Sequence, residues 1–159
     1  MIVDLTTELA AQVASRLSLR DRTEVLACLP DGKDLAEWVV DLPQGQGPNH
    51  GAWAVMRHGV PVAMGGVSRS PGTPWMAVSW AVGTDAKMEA GAWVMRAALA
   101  GHRRFDVEGV CKYQCSCLDS PELSSRWLVR LGYLIEGVLA NHGRNGETFK
   151  LWGRINHGT

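Results

Sequence analysis

Residues 120–133, SPELSSRWLVRLGY, decide the fold. Ser120 and Pro121 stand where a helix favours a capping hydroxyl and a first residue with preset φ, and Leu123, Trp127 and Leu131 recur along one helical face. Gly132 supplies the left-handed backbone that ends such a helix, so Tyr133 leaves in a new direction. Alternating apolar residues follow at 133–140 and again at 147–155. They read as two strands joined across the Asn- and Gly-rich segment 141–146.

Upstream, residues 107–117 read as another strand, preceded by a long helix with Met88, Ala92, Met95 and Leu99 on one apolar face. That helix closes on His102-Arg103-Arg104, where positive charge suits the C-terminal end of the dipole. Residues 52–58 and 61–67 pair about Gly59 as a hairpin, and 75–82 makes a third strand. The first forty residues read as helices. Leu9, Val13 and Leu17 share a face behind a Thr6 or Thr7 cap, 20–29 is stopped by Pro30-Asp31-Gly32, and 34–42 is a third helix. The expected layout is a single domain over 1–159: a helical part at 1–42, a breaker-rich loop at 43–51 (PQGQGPNHG), and a sheet with two main helices at 52–155. Such an order makes an α/β sandwich of layers.

At 159 residues the chain matches one average hydrophobic core, and its 46% hydrophobic content can fill it without disulfides or metals. Sixteen Lys and Arg balance sixteen Asp and Glu, so bulk charge steers the molecule toward neither nucleic acid nor an anionic bilayer. No apolar run reaches the roughly 18–20 residues of a bilayer span, and the acidic N-terminus MIVDLTTELAAQ lacks the basic region of a signal peptide. A cytosolic chain with reduced thiols is expected. Cys111, Tyr113, Cys115 and Cys117 alternate on one strand face, but Cys111 would lie roughly 13 Å from Cys115, too far to share a zinc. Seven Trp stand against two Tyr and two Phe. Trp53, Trp75, Trp80, Trp127 and Trp152 fall in the expected elements, which points to core filling.

The element order and the run Ser124-Ser125-Arg126-Trp127-Leu128-Val129-Arg130-Leu131-Gly132-Tyr133 resemble the GNAT superfamily of acyl-CoA-dependent N-acyltransferases, whose domains place a helix with a Gly-aromatic ending before their last two strands. Within it, the stretches LRDRTEVLA, HGVPVAMGGV with PWMAVSWAVGTDA, and SSRWLVRLGYLIEG with GETFKLWG resemble small bacteriophage proteins labelled internal virion protein A. The resemblance implies a central mixed sheet splayed in the middle, flanked by helices, with acetyl-CoA held between strand 75–82 and strand 107–117.

Members of the superfamily seat the CoA pyrophosphate on a helix N-terminus through a [Q/R]-x-x-G-x-[G/A] loop, because free N–H groups and the helix dipole attract anions. In the corresponding segment Gly83 fits, Lys87 adds one charge, and Thr84 and Asp85 read as N-caps that would satisfy the same N–H groups and repel phosphate. Asp119 and Ser124 complete the candidate cofactor contacts. The Tyr that many members place four residues before the Gly as general acid is Leu128 here. Tyr113, Ser116 and Tyr133 are the nearest substitutes, and Ser79, Glu108 and Asp119 the groups on offer for handling the amine. Two functions follow as expectations. One is a vestigial or non-catalytic phage-type protein that serves virion assembly or genome delivery by contacting virion or host proteins in the host cytoplasm. The other is an acetyl-CoA-dependent N-acetyltransferase acting on a protein or small amine, with Glu108, Tyr113 and Ser79 as candidate catalytic residues.

Overall fold

The computed structural model describes residues 1–41, 50–70, 72–119 and 123–156. The elements run β1 (Ile2–Asp4), α1 (Thr7–Ala14), α2 (Leu19–Cys28), α3 (Leu35–Asp41), β2 (His50–Arg57), β3 (Val60–Ser70) and β4 (Thr73–Gly83). A 3-10 turn at Asp85–Met88 leads into α4 (Gly91–Val107), then β5 (Lys112–Leu118), α5 (Leu123–Arg130), β6 (Leu134–Leu139) and β7 (Phe149–Ile155). Among the described residues seven strands form one sheet in the order β1-β2-β3-β4-β5-β7-β6. Neighbours are antiparallel except β4 and β5, which run parallel.

Local chemistry explains the joints. Thr6 caps α1 by accepting from the Leu9 N–H, and Ser18 caps α2 by accepting from the Asp21 N–H. His58 and Gly59 both take positive φ, +49° and +77°, which gives the β2–β3 hairpin a turn whose twist suits its strands. Gly132, at φ +84°, ends α5, where the Tyr133 N–H donates to Leu128 O and the Gly132 N–H to Val129 O. That paired closure satisfies two terminal carbonyls and turns the chain into β6. The proposed Ser120-Pro121 start of α5 lies outside the described residues, as does most of the 43–51 loop.

Several expectations change. The N-terminal part is not wholly helical, because Ile2–Asp4 pairs antiparallel with β2 and covers that sheet edge. The helix expected to end near Arg104 runs on to Val107 and is released by Gly109 at φ +86°, so β5 begins only at Lys112 and Cys111 lies outside it. Most importantly, the buried face of α4 is centred elsewhere than expected: Met95 and Leu99 are half-buried against the core, but the fully buried residues lie beside them. Ala97, Ala98, His102 and Phe105 enter the core, whereas Met88 is 60% exposed. His102 is therefore a buried residue and not part of a solvated cationic end.

Two apolar layers sandwich the sheet. On one face α4 and α5 pack Ala97, Phe105, Leu128 and Leu131 against Val55, Val67, Tyr113 and Trp152. On the other, α1 to α3 pack Val13, Val25, Leu29 and Val39 against Ala54, Met64 and Val82. Trp53 and Trp152 fill core as expected, but Trp75 is 53% exposed, and Trp80 and Trp127 are only half-buried. Gly65 makes room for Trp53: a Cβ there would stand 2.7 Å from Trp80 O and 2.8 Å from Trp53 Cη2. Gly65→Ala is expected to cost about 1–3 kcal/mol by overpacking, read as a lower midpoint at unchanged slope in urea unfolding.

Candidate active site

Parallel pairing of β4 with β5 covers only Met76–Lys112, Ala77–Tyr113 and Val78–Gln114. Past Val78 the strands are no longer paired with each other, although β5 stays zipped to β7 as far as Leu118–Phe149. A wedge opens between the remainder of β4 and that of β5. Helix α2 spans it with two carboxylates one helical turn apart. Asp21 Oδ2 accepts from the Gly83 N–H at 2.6 Å and pairs with the Lys87 ammonium, while Glu24 Oε2 accepts from the Leu118 N–H at 3.1 Å. Each carboxylate thus holds the end of one diverging strand. Burial pushes the Glu24 carboxyl up from its ordinary pKa, opposed by the Leu118 N–H and assisted by the Asp21 charge.

Two cavities meet in the wedge. One, of about 430 Å³, passes through the splay from Trp38 and Trp80 on the α1–α3 side to Ser79, His102 and Tyr133 on the α4 side. The other, of about 500 Å³, lies along the start of α4 and is lined by Lys87, Met88, Ala92 and Met95 with Arg20 and Arg130. Glu24, Ala81, Val82, Cys117 and Trp127 line both. The Met88-Ala92-Met95 stripe read as a core face thus borders this second cavity.

At the floor of the wedge three polar side chains converge. Tyr133 donates its hydroxyl to Ser79 Oγ at 2.8 Å, and His102 Nε2 lies 3.0 Å from the Tyr133 oxygen and 3.2 Å from Ser79 Oγ. His102 is held down to a pKa of about 4, by burial first and then by the nearby Arg154 charge, so its imidazole is neutral at pH 7. Burial raises the Tyr133 pKa, which keeps its proton in place throughout the neutral range. Behind them the Tyr113 hydroxyl shares its one proton between Asp106 Oδ1 at 2.7 Å and His102 O at 2.9 Å. Ser79 is the half-buried, open end of this chain. His102 Nδ1 and Arg154 Nη1 are buried without a hydrogen-bond partner among the described residues.

The segment from Gly83 to Ala92, where a pyrophosphate site is expected, differs from its sequence reading in one decisive respect. Thr84 makes no side-chain cap bond, and its hydroxyl donates instead to Val62 O at 3.3 Å. Asp85 opens only a four-residue 3-10 turn and is exposed, while α4 starts later, at Gly91. Ala90 at its N-cap offers no side-chain acceptor. The helix is not self-capped by Asp85, and its first turn, Gly91 and Ala92, faces the second cavity. Gly83 is committed internally: its N–H is held by Asp21, its carbonyl accepts from the Ser18 N–H at 3.0 Å, and a Cβ would stand 2.6 Å from Val62 O. Lys87 lines the second cavity with its ammonium paired to Asp21.

The remaining candidates scatter. Ser79 sits in the wedge and Tyr113 supports it from behind. Glu108 lies at the far end of β4: Arg69 reaches both Pro74 O and the Glu108 carboxylate, and Arg104 also binds Glu108. The hydrogen bond from Arg69 holds the Glu108 carboxyl below its ordinary pKa, and the structure does not bring it to Ser79. Asp119 is exposed and paired with Lys150 at 2.6 Å. The Ser124 side chain lies outside the described residues. Sequence reasoning missed Glu24 and His102. The stripe Val94, Ala97, Ala98, His102, Phe105 would have signalled the histidine, whereas nothing local marks the glutamate.

No protein-family model and no curated protein matches the chain. Solved structures do. The ribosomal-protein-alanine N-acetyltransferase from Brucella melitensis superposes with a TM-score of 0.77 at 10% identity, covering 98% of this chain and 99% of that one. A GNAT-superfamily phosphinothricin acetyltransferase from Sinorhizobium meliloti, solved in complex with AcCoA, gives 0.77 at 11% identity over 100% and 90%. An aminoglycoside 6'-N-acetyltransferase from Enterococcus faecium gives 0.67 at 15% identity over 98% and 96%. With its seven-stranded mixed sheet, its wedge between the parallel strands and its flanking helices, the chain has the fold of the GNAT acyl-CoA N-acyltransferases.

Proposed function

We propose that the protein is an acetyl-CoA-dependent N-acetyltransferase. The observation that carries this reading is the meeting of two cavities at Glu24, one opening on the uncapped start of α4 and the other on a floor of hydroxyls and imidazole. The residues present fit an elongated anionic cofactor. Gly91 and Ala92 offer helix N-terminal N–H groups to a pyrophosphate, Arg20 and Arg130 add positive charge, and the open edge of β4 offers backbone groups to an extended arm. The cofactor supplies an acetyl group activated as a thioester. The Glu24 carboxylate takes the proton of the incoming amine, its raised pKa bringing its basicity nearer to neutral pH. The Tyr133 hydroxyl, with Ser79 and neutral His102 as its hydrogen-bond partners, would give its proton to the thiolate that departs as the amide bond forms. It fills the role left open by Leu128, which is 2% exposed.

The vestigial reading drew on a helix start occupied by its own cap, on Leu128 in place of the Tyr and on the phage-like stretches, and of these the cap is gone. None of the comparisons supports a virion role. Calorimetric titration with acetyl-CoA is expected to give micromolar affinity, about −8 kcal/mol, and CoA thiol should appear when amines are added. Ala92→Glu places a negative charge on an exposed position of the first turn and is expected to weaken acetyl-CoA about tenfold or more with the fold retained. Absence of heat up to millimolar acetyl-CoA would return the chain to a non-catalytic role.

A further inference from the structure

We infer that the amine accepted at this cleft is a small monoamine with an aromatic or similarly flat apolar body; this rests on the acetyltransferase reading and narrows its substrate. Four of the seven Trp residues line the 430 Å³ cavity: Trp38, Trp53, Trp80 and Trp127. Trp38 and Trp80 stand edge to face with ring centroids 6.4 Å apart, on the α1–α3 side where the passage through the splay begins. Glycine in β3 admits these rings: at Gly66 a Cβ would lie 3.0 Å from Trp80 Nε1. Indole faces bind flat apolar groups by stacking and ammonium groups through the ring quadrupole.

The charge of the lining sets the number of ammonium groups. Among the described residues lining this cavity, Glu24 is the one carboxylate, and Lys33 is the one Lys or Arg. A single carboxylate in this cavity matches a single ammonium. A polyamine or aminoglycoside would leave its further cations against the aliphatic lining of Val25, Leu29 and Val78, where desolvation is unrecovered. An acceptor rich in amides would meet the same penalty at each unpaired N–H and C=O. The cavity volume lies in the range of small-molecule sites.

The full chain, with and without saturating CoA, is titrated with 2-phenylethylamine, spermidine and the tripeptide Ala-Ala-Ala, following tryptophan fluorescence and heat. The aromatic amine is expected to bind at least tenfold tighter than the other two. Trp38→Ala is expected to weaken it about tenfold without altering acetyl-CoA affinity, and Trp38→Phe to restore most of the loss. If Trp38→Ala does not fold, Trp80→Leu carries the same comparison. Tighter binding of spermidine or the tripeptide, or unchanged 2-phenylethylamine affinity in the folded variants, overturns the inference. CoA release is measured separately. Amine binding without any CoA release removes the acetyltransferase reading and leaves the amine site, whereas CoA release on other amines with no 2-phenylethylamine binding removes only this inference.

Discussion

Asp21→Ala is expected to lower the melting temperature by about 6–12 °C. The Asp21 side chain is 8% exposed and its carboxylate serves two partners at once, the Gly83 N–H and the Lys87 ammonium. Alanine leaves a buried donor unsatisfied and a largely sequestered ammonium unpaired, a loss of about 3 kcal/mol, at about 2–4 °C each for a chain this long. Lys87→Met should cost less, since Asp21 keeps the Gly83 N–H and the Lys87 side chain is 28% exposed. The double variant should then be more stable than the two single losses added together, because each single change leaves the other charge without its partner. Differential scanning calorimetry of the four proteins tests this. A fall below about 2 °C for Asp21→Ala would mean that water replaces the carboxylate and that α2 does not hold the end of β4.

The same residue shows what the sequence could reveal. Helices and strands repeat their own period, so the elements from β2 to β7 could be placed within a few residues, and Gly132 and Gly59 marked their turns. The GNAT order was readable for that reason. The wedge was legible only as an implication of the resemblance, because it depends on where a parallel pairing stops after Val78. The two carboxylates that bracket it were not legible at all: Asp21 reaches Gly83 across 62 residues and Glu24 reaches Leu118 across 94. In the sequence both are ordinary charges on a surface helix. His102 was concealed by the arginines beside it, which made a buried imidazole look like part of a cationic helix end. Asp85 was misread for a related reason. Thr84-Asp85 has the composition of a cap, yet the chain spends the next turn in 3-10 geometry and begins α4 only at Gly91. Capping preference names residues suited to a helix start, but packing chooses which start is used.

Glu24→Gln should lower kcat/KM for acetyl transfer by about 10²–10³-fold while making the protein more stable at neutral pH. The two effects have one cause. Burial raises the Glu24 pKa above its unfolded value, so the charged form is disfavoured in the folded state. A carboxyl with a raised folded pKa contributes stability that is complete below its unfolded pKa and is lost as pH rises through its folded pKa. At pH 7 the native protein therefore carries the cost of a buried anion, and glutamine removes it. The amide oxygen of Gln can still accept from the Leu118 N–H, so the strand end stays held. A gain of about 1–3 °C in melting temperature is expected at pH 7, shrinking to nothing below the pKa of the unfolded carboxyl. In the wild type, kcat/KM should climb as Glu24 ionises, and the variant should lose that limb of the profile. A merely structural Glu24 would give the opposite pair of results, with activity kept and stability unchanged or reduced. The combination of a more stable protein and a much slower reaction is therefore the signature that assigns the amine's proton to Glu24.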